Sequence, residues 1–329
     1  VQARGGIGDR IALVGPTASG KTAVGIRLAA RLGAEIVSAD SMQVYRQMDI
    51  GTAKPTIEEQ QQAVFHAIDV TGPDQDWTLT DHQRLGDEAC CAIAARGRVP
   101  LIVGGTGLYV RALTTILDIP VTPPDEQFRA RLREFAETNG NAALLARVAQ
   151  VDPQTAARLH VNDIGRQIRA LEVHAASGRT LTELHAENRA RQPSALDEGQ
   201  PLLFGLNFND RALLYRRIDD RVDQMLAEGL LDEVRGLLAR GYLAALKPMQ
   251  SLGYRHLTTY LAGEMSLDLA VAAMKQDTRR FARRQLIWFR GDARVQWVQA
   301  DGKTAEQVAD EIGTQIQVLR QHKGEIASQ

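Results

Sequence analysis

Gly15-Pro-Thr-Ala-Ser-Gly-Lys-Thr22 fills every fixed position of the phosphate-loop pattern G-x-x-x-x-G-K-[ST]. Ile11-Ala-Leu-Val14 before it reads as a short buried strand. Ala23 to Leu32 after it reads as a helix, with Ile26, Leu28, Ala29 and Leu32 at helical spacings. The loop therefore stands where its physics requires, between a strand and a helix N-terminus. There its backbone N–H groups can cradle phosphate oxygens, and the helix dipole favours their negative charge. In this pattern the lysine, Lys21, reaches a terminal phosphate, and the hydroxyl of Thr22 ligates Mg²⁺. A glycine turn with a chance lysine is the bland alternative, and the flanking strand and helix argue against it. The motif says that something carrying phosphates binds. It leaves open whether that is a nucleotide.

Working outward, further strands are expected at Glu35–Ser38 and Pro100–Val103, separated by helices at Thr22–Leu32 and roughly Asp81–Arg96. Strand–helix alternation argues an α/β fold: a parallel sheet flanked by helices, like that of the phosphate-loop NTPases, with ligands at the strand C-terminal ends. Each strand runs into a polar or glycine-rich loop: the phosphate loop, Ala39-Asp-Ser41 and Gly104-Gly-Thr-Gly107. Those three loops are expected to converge on one cleft. Pro120-Val-Thr-Pro-Pro124 breaks the pattern, and from Asp125 to about Arg191 it turns helical and charged. We read residues 123–199 as a helical insertion domain in a core made of 1–122 and 200–329. The chain returns through the polar stretch Gln192–Gln200 to a strand at Leu202–Asn207. Helix over Arg211–Arg240 and Met265–Trp288, a last strand at Val295–Val298 and a frayed tail at His322–Gln329 complete the expected core.

Composition bounds the function. The 329 residues are 44% hydrophobic and 24% charged, as in a soluble globular protein, and the formal net charge is −1. With no global cationic field, a nucleic-acid partner needs a local basic patch. One exists: Lys275 to Arg294 carries seven Lys or Arg against two Asp. Arg279 and Arg283 lie one helical turn apart, as do Arg280 and Arg284. Interleaved Phe281, Trp288 and Phe289 favour a half-buried helix whose cationic face grips phosphates, against the usual alternative of a solvated charged face. The two cysteines, Cys90 and Cys91, are adjacent and offer neither metal spacing nor a disulfide framework, which fits a reducing cytoplasm. Neither a secretory leader nor a membrane span is expected.

Several residues carry two readings at this stage. Asp40, after the second strand, is either a helix N-cap or a carboxylate that accepts a proton from an acceptor substrate. Asp49-Ile-Gly-Thr-Ala-Lys-Pro55 is either a plain turn or a tight polar turn in which Gly51, Thr52 and Lys54 touch phosphate. After Val103, where nucleotide hydrolases often place an acidic Mg²⁺ ligand, this chain has glycine. That weakens an ATPase reading and moves weight to Thr106, either a hydrogen-bonding group at the reacting centre or a helix cap. Arg166-Gln-Ile-Arg-Ala-Leu-Glu172 and Gln250-Ser-Leu-Gly-Tyr-Arg255 read locally as an amphipathic helix and a turn.

Taken together and in order, these segments resemble the bacterial tRNA dimethylallyltransferases, also called tRNA isopentenyltransferases. The matching stretches are Gly15–Thr22, Asp40–Tyr45, Met48–Pro55, Val103–Tyr109, Asp163–Glu172, Gln250–Arg255 and Thr278–Arg290. The block Asp-Ser-Met-Gln-Val-Tyr followed by Met-Asp-Ile-Gly-Thr-Ala-Lys is the most specific of them. The resemblance implies transfer of a five-carbon prenyl group from dimethylallyl diphosphate to N6 of adenosine 37, beside the anticodon of tRNAs that read codons starting with U. It implies that Gly15, Pro16, Thr17, Ala18, Ser19, Gly20, Lys21 and Thr22, with Arg217, hold the donor's diphosphate and that Mg²⁺ sits at Thr22. Asp40 is then the base, with Thr106 and Lys21 at the reacting centre. The anticodon stem-loop is read by Asp40, Ser41, Met42, Gln43 and Thr106, by Gly165, Arg166, Gln167, Ile168 and Arg169, and by Gln250, Ser251, Leu252, Gly253, Tyr254 and Arg255. Arg279, Arg283 and Arg284 bind its backbone. Ile164-Gly165 stands where that family commonly carries Pro-Gln. A cytoplasmic monomer is the accompanying expectation. The alternatives are a nucleoside or metabolite kinase, which shares the phosphate loop and acceptor-side Asp40, and a non-catalytic RNA-binding switch.

Overall fold

The computed structural model describes residues 7–117, 125–191 and 200–326, with side chains through Gln321. The breaks expected at Pro120–Pro124 and Gln192–Gln200 lie in or against stretches outside the described residues. The chain divides into two units, Ile116–Pro193 and the remainder.

In the larger unit the described strands are β1 (Ile11–Val14), β2 (Ala34–Ser38), β3 (Phe65–His66), β4 (Val99–Gly104), β5 (Leu202–Asn207) and β6 (Val295–Gln299). They form one sheet in the order β3-β2-β4-β1-β5-β6, every pair parallel. The helices before the second unit are α1 (Lys21–Leu32), α2 (Ile57–Gln62), α3 (Leu79–Ala95) and α4 (Gly107–Thr114). The second unit contains α5 (Glu126–Asn139), α6 (Asn141–Val151), α7 (Pro153–Ala156), α8 (Ile164–Ser177) and α9 (Leu181–Ala190). The core then resumes with α10 (Arg211–Ala227), α11 (Leu230–Ala239), α12 (Tyr254–Leu261), α13 (Leu267–Arg290) and α14 (Ala305–Ile326).

The sheet is buried on both faces because its strands are continuous apolar runs whose side chains alternate. Ile11 and Leu13 enter one cluster with Leu28 of α1 and Ile312 of α14. Ala12 and Val14 enter the other with Ile93 of α3, Leu113 of α4 and Leu237 of α11. Register sets the site. Leu13 pairs with Val103 and Ser38 with Val103, so β1, β2 and β4 end at one level. Two further backbone bonds, Ala39 N–H to the Val103 carbonyl (2.8 Å) and Thr106 N–H to the Ala39 carbonyl (3.2 Å), carry that alignment into the loops.

The expected strands stand within a residue of their places. Several features differ from the sequence reading, which did not delimit α2, α12 or α14. β3, two residues long, is too short to show a period. The helix expected over Arg211–Arg240 is two helices, broken at Gly229, whose φ of 103° no helical residue adopts. The C-terminal helix runs to Ile326 where a frayed tail was expected.

Candidate active site

The phosphate loop turns into α1 through Ala18 (φ 60°) and Gly20 (φ 86°). Gly20 is the N-cap and offers no side-chain cap, so the first N–H groups of α1 stay available for an anion. Three cations crowd this opening. Lys21 Nζ donates to the Pro16 carbonyl at 2.7 Å. Arg217, from α10, donates through Nε to the Ala18 carbonyl at 2.9 Å. One turn later Arg221 faces the same region. Burial, and then the charge of Arg221, pull the Lys21 ammonium down to about 7 against the opposing pull of Asp40. Burial also lowers Arg221. Positive charge gathered this closely is satisfied by a multiply charged anion.

Across from the loop stands Asp40. No helix follows it, so the N-cap reading is wrong. Its Oδ1 instead accepts the Met42 N–H at 2.8 Å, closing a local turn. Burial raises its pKa, opposed by the Met42 and Gln43 N–H groups and by Lys21 and Arg221. A raised pKa makes the ionised carboxylate a stronger base. Thr106 is the N-cap of α4 but makes no side-chain cap bond. Its Oγ1 accepts the Ser41 N–H at 3.1 Å, tying the loop after β4 to the loop after β2.

The three loops do meet in one cleft. A cavity of about 330 Å³ is lined by Thr17 and Ala18, by Asp40 and Ser41, and by Thr106. Met42, Ile218, Val222, Met225, Leu252, Met274 and Phe281 form its apolar wall, with Arg221, Arg255 and Arg284 among its polar residues. The Ser251 hydroxyl is buried on its lining without a partner among the described residues. A neighbouring cavity of about 800 Å³ shares Ala18, Ala53, Arg221 and Met225 and adds Gly20, Thr22, Arg217 and Asp220. One space thus faces the carboxylate and the other faces Thr22, with the tip of the phosphate loop between them.

The other expected residues are placed as follows. Lys54 does not reach outward to phosphate: it is 8% exposed and its Nζ is spent on the Tyr45 carbonyl (2.8 Å), Asp49 (2.5 Å) and Asp69 (2.6 Å). Its loop is held by Glu233, whose carboxylate accepts the N–H groups of Asp49, Ile50 and Gly51 and the Tyr254 hydroxyl at 2.6 Å. Tyr254 is fully buried against Gly51, where a Cβ would stand 2.5 Å from the ring, so it is a strut rather than a surface contact. Gln250 is exposed, and Arg255 pairs with Asp277 at 2.5 Å. Gln43 is held from both sides: its Oε1 accepts the Ser38 hydroxyl and its Nε2 donates to the Ala53 carbonyl. Arg279 pairs with Asp219 at 2.5 Å and so ties α13 to α10, while Arg283 and Arg284 are exposed.

In the second unit, Asp163 caps α8 by accepting the Arg166 N–H, and Gly165 and Arg166 stand on the exposed first turn. Gln167 and Ile168 point inward instead. Gln167 is fully buried and donates to the His160 and Val161 carbonyls. Arg169 pairs with Glu172 at 2.6 Å.

Sequence reasoning missed Arg221, Glu233 and Gln285. The first had a usable signal: it sits four residues after Arg217 on one helix face. Gln285, which bonds Thr17 N–H and the Gly105 carbonyl, had none.

Comparisons of sequence and of structure return matches that span most of the chain. A family model described as IPP transferase matches residues 43–292, and one described as Isopentenyl transferase matches residues 9–65. The chain is 48% identical over 291 residues to a tRNA dimethylallyltransferase of Desulforudis audaxviator, covering 88% of this chain and 92% of that protein. It is 48% identical over 303 residues to the tRNA dimethylallyltransferase of Symbiobacterium thermophilum, covering 92% of each. The crystal structure of the full-length tRNA isopentenylpyrophosphate transferase from Bacillus halodurans superposes with a TM-score of 0.71 at 38% identity, covering 97% of this chain and 99% of that one.

Proposed function

Since the chain belongs to the IPP transferase family, we propose that it transfers a dimethylallyl group from dimethylallyl diphosphate to N6 of adenosine 37 in tRNAs that read codons starting with U. The observation that carries the reading is the placement of Asp40 and Thr106 across one cavity from an uncapped phosphate loop crowded by Lys21, Arg217 and Arg221.

Adenine N6 is a poor nucleophile because its lone pair is delocalised into the ring. As that pair attacks C1 of the allyl group, the C1–O bond breaks and its electrons leave with diphosphate. Asp40 accepts the N6 proton, which is the contribution of a positioned base. Charge develops on the departing diphosphate, where the first-turn N–H groups of α1, Lys21 and the two arginines meet it. Thr106 and the buried Ser251 hydroxyl line the side on which the base sits. The base leaves its stack to enter the cavity.

Thr22 offers a hard oxygen on the first turn of α1, and Asp220 lines the same cavity. This donor set fits Mg²⁺, which usually keeps water and substrate phosphate among its ligands. When bound, the ion would neutralise charge on the leaving diphosphate. Gly165, Arg166, Gln250, Arg283 and Arg284 are the exposed candidates for tRNA contact. No helix among the described residues is long and apolar enough to cross a membrane, and the reading places the protein in the cytoplasm.

The test is mass spectrometry of nucleosides from unmodified tRNA incubated with the protein, Mg²⁺ and dimethylallyl diphosphate. A five-carbon gain on the adenosine beside the anticodon is expected. Unchanged adenosine would refute the proposal.

A further inference from the structure

Gln285 lies on α13 with only 7% of its surface exposed, and it joins two loops that are distant in sequence. Its Oε1 accepts the Thr17 N–H at 2.8 Å across 268 residues, and its Nε2 donates to the Gly105 carbonyl at 3.0 Å across 180. These partners fix which way the amide faces, because an N–H only donates and a carbonyl only accepts. The fit is close: a Cβ on Gly105 would stand 2.2 Å from Nε2. Thr17 belongs to the loop that meets the diphosphate. Gly105 precedes Thr106, whose Oγ1 holds the Ser41 N–H beside Asp40. The β1–β4 register ends at Val14 and Gly104. Beyond that point the Gln285 amide hydrogen-bonds to both loops.

Resting on the transfer proposed above, we propose that Gln285 is a positioning residue that sets the distance between the diphosphate cradle and the acceptor base. It acts through Thr17 and Gly105. Reacting atoms must approach to about 3–3.5 Å, and a misplacement of about 1 Å costs on the order of 100-fold in rate.

Two variants separate positioning from folding. Gln285→Glu keeps an acceptor for Thr17 but sets a carboxylate oxygen against the Gly105 carbonyl. Gln285→Met removes both bonds at similar volume. Single-turnover transfer from dimethylallyl diphosphate to unmodified tRNA is measured with both substrates saturating, together with inorganic diphosphate affinity and melting temperature. The rate per bound donor is expected to fall roughly 100-fold in both variants, with the neutral Gln285→Met keeping diphosphate affinity within about threefold of wild type. A purely structural role would lower the amount of competent enzyme and its melting temperature, but leave the rate per bound donor within about threefold of wild type. That result overturns the proposal.

Gly105→Ala displaces the amide from its other side and serves if a Gln285 variant fails to fold. It should lose rate to the same degree, and adding Gln285→Ala should cause no further loss, since both break one linkage. Additive losses would overturn the proposal. Absence of transfer by the wild type would count against the proposed function, whereas the variant-to-wild-type ratio tests Gln285 alone.

Discussion

Asp40→Asn isolates the proton acceptor. The amide keeps Oδ1 for the Met42 N–H, a 2.8 Å bond, so the local turn persists while the charge is lost. A positioned base contributes roughly 100- to 10,000-fold, or about 3–5 kcal/mol of barrier at about 1.4 kcal/mol per decade. Single-turnover transfer at saturating donor and tRNA should fall by that factor. Saturation matters because Asp40 is one of the charges that act on Lys21, so its loss changes the charge that meets diphosphate. The pH profile supplies a second reading. Burial raises the Asp40 pKa, so the wild-type rate should climb with pH through a limb above the usual carboxylate range, as the protonated acid becomes a base. The variant should lack that limb. A rate within about threefold of wild type, or an unchanged acid limb, would remove Asp40 from proton transfer.

Other perturbations follow from the same geometry. With Lys21 near 7 in the free enzyme, diphosphate binding should raise its pKa and take up a proton, with uptake approaching one near pH 8; calorimetry in buffers of different ionisation enthalpy should show this, and its persistence in Lys21→Ala would contradict it. Arg221→Ala should weaken inorganic diphosphate binding by at least roughly tenfold, as expected for a charge-assisted contact, and an unchanged dissociation constant would place Arg221 outside the anion site. Glu233→Ala frees three N–H groups and the Tyr254 hydroxyl, so urea unfolding should report a loss of about 2–4 kcal/mol; a loss under about 0.5 kcal/mol would show that the loop stands without it.

Much of the site was legible because its chemistry is local in sequence. The phosphate loop declares itself by spacing, and Asp40 and Thr106 by standing at the ends of buried strands that a parallel sheet brings side by side. What stayed hidden depends on tertiary approach. Lys54 shows the ambiguity: a lysine among aspartates reads alike whether it faces phosphate or is buried among carboxylates, and here the second holds. Glu233 lies more than 180 residues from the loop it organises, and nothing near it in sequence marks that use. Gln285 sits inside a basic helix read for its arginines. Its buried face reaches the phosphate loop, a relation that helical periodicity describes only as inward. Helix phase likewise accounts for Gln167 and Ile168, which fall on the inner side of α8 while Gly165 and Arg166 do not.

The central claim is that the loop Gly15–Thr22 holds a departing diphosphate rather than the phosphates of a reacting nucleotide. Unmodified tRNA incubated with the protein and Mg²⁺, once with dimethylallyl diphosphate labelled in its allyl carbons and once with ATP labelled in its terminal phosphate, puts that claim to its most direct test. Label from the allyl donor should enter the RNA in step with diphosphate release, while label from ATP should appear in no product. Transfer of the ATP label to an acceptor, with the allyl label left in the donor, would contradict the account.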